Sequence, residues 1–234
     1  MNILAVDTSN QTLGVALLHH DQVIGELSTN VKKNHSVRLM PAIVQLMKDT
    51  NITPEQLDKI VVAKGPGSYT GVRIGLATAK SMAWALNIPI VGVSSLEVLA
   101  FQGRLMDTYI CPFFDARRNM IYTGLYQSKQ DKLELIIEET NLLMMDWLKK
   151  IAGENKDVLF LSPDIDTFKE TIVEELGDKA IIPEGPFHIA KPSHLALIGL
   201  HRKADQTHTL APNYLRLAEA EANWLKEQKE HNNG

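Results

Sequence analysis

One order of predicted elements occurs twice along the 234 residues, and this duplication constrains the fold more than any other feature. Apolar residues that alternate or run together predict strands, and apolar residues at helical spacing predict helices. In each half the order is three strands, a helix, a strand, a helix, a strand and a helix. In the first half the elements are predicted at residues 3–7, 12–18, 23–27, 36–49, 59–63, 70–86, 90–93 and 96–103. In the second half they are predicted at 109–115, 119–126, 133–139, 145–152, 158–161, 165–176, 180–182 and 193–202.

The duplication predicts an α/β protein of two lobes, each built from one βββαβαβα unit. We expect a first lobe at residues 1–104, a reduced second lobe at 105–211, and a helical tail at 212–234 that packs back on the first lobe. The first strand of each unit ends in an aspartate, Asp7 or Asp115. Aspartate suits a turn, but the matched position in both halves also predicts a pair of carboxylates that face a cleft between the lobes.

Composition and charge narrow the class of protein. No apolar stretch approaches the roughly 20 residues that span a bilayer, and the N-terminus lacks the basic region of a signal peptide. We therefore expect a cytoplasmic protein with no membrane partner. The net charge is −4 with no basic stripe, whereas a protein that binds nucleic acid alone usually has a basic surface. The single cysteine, Cys111, lies in an apolar run and is interpreted as a buried structural thiol.

The segment GPGSYTGVR at residues 65–73 lies between a predicted buried strand and a predicted helix. Glycines let the backbone approach another group closely, and the free N–H groups at a helix start favour anions. Val72 stands where a P-loop has its lysine, and Thr70 stands where a dinucleotide fingerprint has its third glycine. Two interpretations stay open: a weak nucleotide or anion site, and a tight turn with close helix packing. The residues of the candidate nucleotide site are Asp7, Thr8, Ser9, Gly65, Gly67, Ser68 and Gly71.

The predicted helices at 36–49 and 70–86 are candidates for an interaction surface. The first has apolar residues around much of its circumference, more than one buried face needs. The second is rich in small residues that permit close approach, and its Trp84 is an anchor of the type that dominates interface energetics. Arg73 near its start opposes the helix dipole, so we expect a carboxylate to pair with it. Burial within the chain's own fold is the alternative. The interface candidates are His35, Leu39, Met40, Ile43, Leu46, Met47, Arg73, Ala77, Lys80, Ser81 and Trp84.

The sequence resembles the TsaB (YeaZ) family of bacterial tRNA threonylcarbamoyladenosine biosynthesis proteins. The resemblance rests on ILAVDTS at 3–9, HS at 35–36, GPGSYTGVRIG at 65–75, SSLE at 94–97, DARR at 115–118 and YLR at 214–216. These motifs follow one another at the family's spacing over essentially the whole chain. The resemblance implies the fold of actin, sugar kinases and Hsp70 (the ribonuclease H-like fold), which agrees with the duplicated unit.

The resemblance implies a non-catalytic partner of TsaD. TsaD transfers threonylcarbamoyl from its adenylate to the adenosine beside the anticodon, in tRNAs that read codons starting with A. Two metal-binding histidines of TsaD fall on Ser95 and Leu99 of this sequence, and leucine cannot bind a metal. The resemblance thus implies no metal, no required cofactor and at most weak binding of ATP or ADP.

The partners that the resemblance implies are TsaD in a heterodimer, a second copy of the chain in a homodimer, and the ATPase TsaE docked on the heterodimer. It implies contact with tRNA only through that complex. Two alternatives remain at this point. One is an active ATP-dependent kinase or metallopeptidase of the same fold, and the other is a homodimeric regulator with no link to tRNA.

Overall fold

The computed structural model describes residues 1–31, 34–129, 132–154 and 156–215, and it confirms the predicted order of elements. The helical tail predicted at 212–234 lies outside the described residues from residue 216 onward. The first unit contains β1 (Asn2–Asp7), β2 (Thr12–His19), β3 (Gln22–Asn30), α1 (His35–Thr50), β4 (Lys59–Ala63), α2 (Tyr69–Leu86), β5 (Ile90–Val93) and α3 (Ser95–Ala100). The second contains β6 (Tyr109–Asp115), β7 (Met120–Lys129), β8 (Lys132–Leu143), α4 (Met144–Ala152), β9 (Val158–Leu161), α5 (Ile165–Leu176), β10 (Ala180–Ile181) and α6 (Pro192–Leu200).

Each unit forms its own five-stranded sheet with the same topology. The strand orders are β3-β2-β1-β4-β5 and β10-β9-β6-β7-β8. In the first sheet β1 pairs antiparallel with β2 and parallel with β4, and in the second sheet β6 pairs in the same two ways with β7 and β9. The two-lobed α/β fold with a duplicated unit is therefore confirmed.

The central strand of the first lobe is buried on both faces, which is typical of a strand covered by helices on two sides. Leu4 and Val6 on one face belong to the core that α1 and α2 cover. Ile3 and Ala5 on the other face pack into a second core with Leu195 of α6. Within the described residues, no helix is long and apolar enough to cross a bilayer.

The last helix of each unit packs on the sheet of the other unit. Leu195 of α6 lies in the first-lobe core, and a Cβ atom on Gly199 would lie 2.4 Å from the side chain of Val61 in β4. Conversely, Leu96 and Leu99 of α3 pack in a core of the second sheet. The division expected at 104 and 211 stays a prediction, and α3 and α6 pack across it. Each sheet is apolar on both faces, and the helix from the other unit covers part of the face that α1 and α2, or α4 and α5, leave open.

Residues 205–214, which we call the strap, return from α6 across the first lobe. The backbone N–H of Asp205 bonds to Ile90 O at 2.8 Å, and its carboxylate accepts a bond from Gly92 N at 2.8 Å. At the other end, Asn213 N donates to Lys64 O at 2.7 Å. The strap thus runs from β5 to the end of β4, beside α2.

Candidate functional site

The glycine-rich loop before α2 packs directly on the loop that follows β1. A Cβ atom on Gly67 would lie 2.2 Å from the carbonyl oxygen of Ser9, and one on Gly71 would lie 2.2 Å from that of Thr8. Thr8 Oγ1 donates a hydrogen bond to Gly71 O at 2.7 Å, and Ser68 N donates to Ser9 O at 2.7 Å. The two loops of the candidate anion site therefore meet, but backbone of the chain itself fills the space beside these glycines.

Backbone donors in this loop are also occupied within the chain. Gly71 N bonds to Ser68 Oγ at 3.2 Å, because Ser68 is the N-cap of α2. Gly65 N bonds to the hydroxyl of Ser95 at 3.2 Å, and Ser68 N is held by Ser9. An open phosphate cradle needs such N–H groups to point at a ligand. These bonds support the second interpretation, a tight turn that lets two loops approach closely. Gly67, Ser68 and Thr70 also line a cleft between the lobes, and an anion site at this loop stays a prediction.

A cleft of about 740 Å³ lies between the lobes at the N-terminal ends of α1 and α2. The first lobe contributes Asn10, His35 and Tyr69 to its lining, and the second contributes Asp115 and Arg117. His35 Nε2 lies 2.8 Å from the carbonyl oxygen of Asn10, whereas the buried Nδ1 atom has no hydrogen-bond partner among the described residues. His35, expected at a partner interface, is thus a lining residue of the cleft.

The two matched aspartates do not face each other across this cleft. Asp7 is buried, and one of its oxygens accepts bonds from Ser9 N at 2.8 Å and Ser9 Oγ at 2.7 Å. Burial raises the pKa of the Asp7 carboxyl, and these hydrogen bonds oppose part of that rise. Asp115 is exposed on the cleft, where it accepts a bond from Arg117 N at 2.7 Å and donates its own N–H to Asp164 at 2.9 Å. The expected carboxylate pair is therefore wrong, because only one of its members reaches the cleft.

The turn between β6 and β7 has an unusual backbone. Arg117, Arg118 and Asn119 have φ values of 67°, 55° and 59°, which is the left-handed region that non-glycine residues rarely adopt. Asp115 supports the turn by accepting the Arg117 N–H. This conformation places Arg117 beside the cleft.

Ser95 and Leu99, the positions at which the resemblance implies the loss of metal-binding histidines, have structural roles in this chain. Ser95 is buried and accepts the bond from Gly65 N, and Leu99 is buried in the core below α3. Across the described residues, no group of three or more His, Cys, Asp or Glu side chains is placed to hold a metal ion.

The helix α1 has two apolar sides, and only one of them packs on the sheet. Four of the predicted interface residues are buried in the first-lobe core: Leu39, Ile43, Leu46 and Met47. Their assignment to an interface is corrected, because they face β-strands of their own lobe. Met40 remains exposed, together with Val37 and Val44, whose exposed fractions are 66% and 59%. The spacing of Val37, Met40 and Val44 is helical, so periodicity identifies them as one side of α1, and the packing shows that this side faces outward.

The helix α2 is built in the same two-sided way. Gly75, Ala79 and Ala83 are buried against the sheet, whereas Ala77 and Ser81 are exposed on the other side. Trp84 is 71% exposed. We define the α1/α2 face by six exposed residues of the two helices, which are Val37, Met40, Val44, Ala77, Ser81 and Trp84.

The strap borders the α1/α2 face and forms a groove of about 640 Å³ with α2. Lys80 Nζ donates to the carbonyl oxygens of His208 at 3.1 Å and Leu210 at 2.8 Å. Arg73 Nε donates to the hydroxyl of Tyr214 at 2.6 Å, and its guanidinium lies 3.9 Å from the ring centroid of Tyr69. The carboxylate partner expected for Arg73 is thus replaced by two tyrosines, and both cationic side chains hold the strap.

Comparison with known proteins decides the family. The family model "TsaD: tRNA N6-adenosine threonylcarbamoyltransferase" matches residues 18–224. The tRNA threonylcarbamoyladenosine biosynthesis protein TsaB of Bacillus subtilis (strain 168) is 53% identical over 229 residues, which cover 98% of this chain and 100% of the relative. The chain belongs to the TsaD family and, within it, to the TsaB proteins. Its relatives of this kind are named for the biosynthesis of a modified tRNA nucleoside.

Solved structures agree with this assignment. A crystal structure from Pseudomonas aeruginosa, described as an uncharacterized protein with similarity to peptidase YEAZ, has a TM-score of 0.77 and 25% identity, covering 92% of this chain and 99% of that one. The activator of the 2-hydroxyisocaproyl-CoA dehydratase from Clostridium difficile, solved with bound ADPNP, has a TM-score of 0.50 and 10% identity, covering 86% and 94% of the two chains. This second likeness shows the shared two-lobed fold alone.

Proposed function

We propose that this chain is a non-catalytic subunit for threonylcarbamoylation of the adenosine beside the anticodon, and that it binds and activates TsaD through the α1/α2 face. Its place among the TsaB proteins supports a role in this biosynthesis. In this proposal the pair of TsaD and this chain is the platform for the ATPase TsaE. The chain alone forms a homodimer through the same face, and it meets tRNA only in the complex.

The observation that carries the proposal is the exposed apolar surface on α1 and α2. Val37, Met40 and Val44 lie on one side of α1, and Trp84 is exposed on the neighbouring helix. Exposed apolar residues that cluster on two packed helices mark interaction sites more often than free surface. The small residues Ala77 and Ser81 beside them permit close approach of a partner helix.

The non-catalytic part of the proposal rests on the interior of the first lobe. The backbone of Thr8 and Ser9 lies against Gly71 and Gly67, and Ser95 and Leu99 are used for packing. In this proposal no cofactor is required, and ATP or ADP binds weakly at most. The alternative, an ATP-dependent kinase or metallopeptidase, requires turnover by the isolated chain, which an ATPase and a peptidase assay would detect.

The experiment that tests the proposal compares two charged substitutions at exposed valines. Val44→Glu lies in the α1/α2 face, and Val173→Glu lies on α5 of the second lobe at a similar exposure of 47%. We expect Val44→Glu to weaken binding to TsaD at least about tenfold in calorimetry, because it buries a charge at the interface. Val173→Glu should bind as the wild type does. Equal affinity of all three proteins, with folding confirmed by circular dichroism, would move the interface elsewhere.

A further inference from the structure

A single carboxylate connects the two lobes and the strap. Glu139 lies on β8 of the second lobe and is half-buried. One of its oxygens accepts hydrogen bonds from Ser94 Oγ of the first lobe and from the hydroxyl of Tyr126 on β7, the latter at 2.5 Å. Its other oxygen accepts a bond from Asn213 Nδ2 of the strap at 3.0 Å. Glu139 therefore contacts three separate parts of the molecule at once.

The three donors are themselves fixed by other contacts. Ser94 is the N-cap of α3, and its oxygen accepts bonds from Leu96 N and Glu97 N. Tyr126 is buried, and burial raises the pKa of its hydroxyl. The nearby negative charge of Glu139 raises that pKa further, so the hydroxyl stays protonated and donates the hydrogen bond. Asn213 is tied to the first lobe by the bond from its N–H to Lys64 O. Charge-assisted bonds of this kind are about twice as strong as neutral ones.

An ion pair near Glu139 belongs to the same region. Glu97 of α3 pairs with Arg202, which follows α6. Burial raises the pKa of Glu97, the Arg202 charge opposes that rise, and the Glu139 charge adds to it. This ion pair therefore links α3 and α6, the two helices that pack on the sheet of the other unit, next to the point where Glu139 contacts the strap.

The strap carries this connection to α2. Between Asp205 and Asn213 it is held by Lys80, and at Tyr214 it is held by Arg73. Both cations lie on α2, next to Ala77 and Ser81 of the α1/α2 face. Asn213 is therefore the point where Glu139 meets the segment that Lys80 and Arg73 hold.

We propose that Glu139 couples the arrangement of the two lobes to the strap and, through the strap, to the α2 side of the α1/α2 face. The coupling to a partner rests on the proposed function, whereas the connection between lobes and strap does not. Breaking the Glu139 contacts should loosen the strap and weaken partner binding, although Glu139 lies outside the face.

The test uses amide hydrogen exchange on the full chain, followed by calorimetry with TsaD. Glu139→Ala should speed exchange of the amides of residues 205–214 about tenfold or more, the scale expected for losing hydrogen bonds to a charged group. It should weaken TsaD binding by about the same factor. Glu138→Ala, at the exposed neighbouring position on β8, is the matched control and should change neither quantity. Asn213→Ala removes only the strap contact and should loosen the strap even if Glu139→Ala fails to fold.

The possible outcomes separate the two parts of the argument. Unchanged exchange of the strap in both Glu139→Ala and Asn213→Ala would overturn the connection itself. A loosened strap with unchanged TsaD affinity would overturn the coupling to the partner. If the wild-type chain does not bind TsaD, the proposed function fails, while the exchange experiment still tests the connection between lobes and strap.

Discussion

Gly71→Ala tests whether the glycine-rich loop is a packed turn or an open anion site. A Cβ atom at this position would lie 2.2 Å from Thr8 O, whereas ordinary contacts begin at 3.4 Å, so the two loops must separate by more than 1 Å. Overpacking a well-packed site costs about 1–3 kcal/mol, and weakening the bond from Thr8 Oγ1 to Gly71 O adds about 1 kcal/mol. The higher helix propensity of alanine offsets up to about 1 kcal/mol of this loss.

The expected net effect of Gly71→Ala is a destabilisation of about 1–4 kcal/mol, and each kcal/mol lowers Tm by about 2–4 °C for a chain of this size. Urea denaturation followed by circular dichroism measures it. The matched control is Gly153→Ala after α4, where φ is −71° and no atom lies within 4 Å of the place that the new methyl group would take. That control should leave stability unchanged or raise it by up to about 1 kcal/mol. Wild-type stability of Gly71→Ala would refute the packed-turn interpretation.

Three further predictions concern buried polar groups. Lys59→Met should lower the free energy of unfolding in urea by about 1–3 kcal/mol, because Lys59 Nζ bonds to three carbonyl oxygens at the end of α6; equal stability would contradict this. Burial, reinforced by the charges of Arg104 and Lys191, lowers the pKa of His194 to about 4. Because the unfolded imidazole binds a proton near pH 6.5, stability should fall by about 1–3 kcal/mol as pH drops from about 6.5 to 4. His194→Gln should abolish that dependence, and an unchanged pH profile would refute it. Burial raises the pKa of the Cys111 thiol to about 11, so a thiol reagent at pH 8 should label the unfolded chain only, and labelling of the native chain would contradict this.

Elements whose local pattern is unambiguous could be predicted from the sequence. The strands Lys59–Ala63 and Val158–Leu161 and the helix Ile165–Leu176 have the predicted bounds. The first strand is a continuous apolar run after Lys59, the second is apolar throughout, and the helix has one regular apolar side. In each case neighbouring residues determine the element. The duplicated order follows from such elements alone.

Features that depend on contacts far apart in the sequence could not be predicted in the same way. Gly71 lies against Thr8, which is 63 residues away, so the loop alone is compatible with both a turn and an anion site. The packing of α6 on the first sheet is another contact of this kind. On α1, periodicity separates two apolar sides, but only packing shows that Ile43 is buried and Val44 is exposed.

The central claim is that this chain activates TsaD without supplying catalytic groups, and reconstitution of tRNA modification tests it most directly. Purified TsaD, TsaE, substrate tRNA and the threonylcarbamoyl adenylate are combined with wild-type chain, with Val44→Glu, with Val173→Glu or with no chain, and modified adenosine is measured by mass spectrometry. We predict modification with the wild type and with Val173→Glu, and little with Val44→Glu or without the chain. Equal modification in all four reactions would contradict the account.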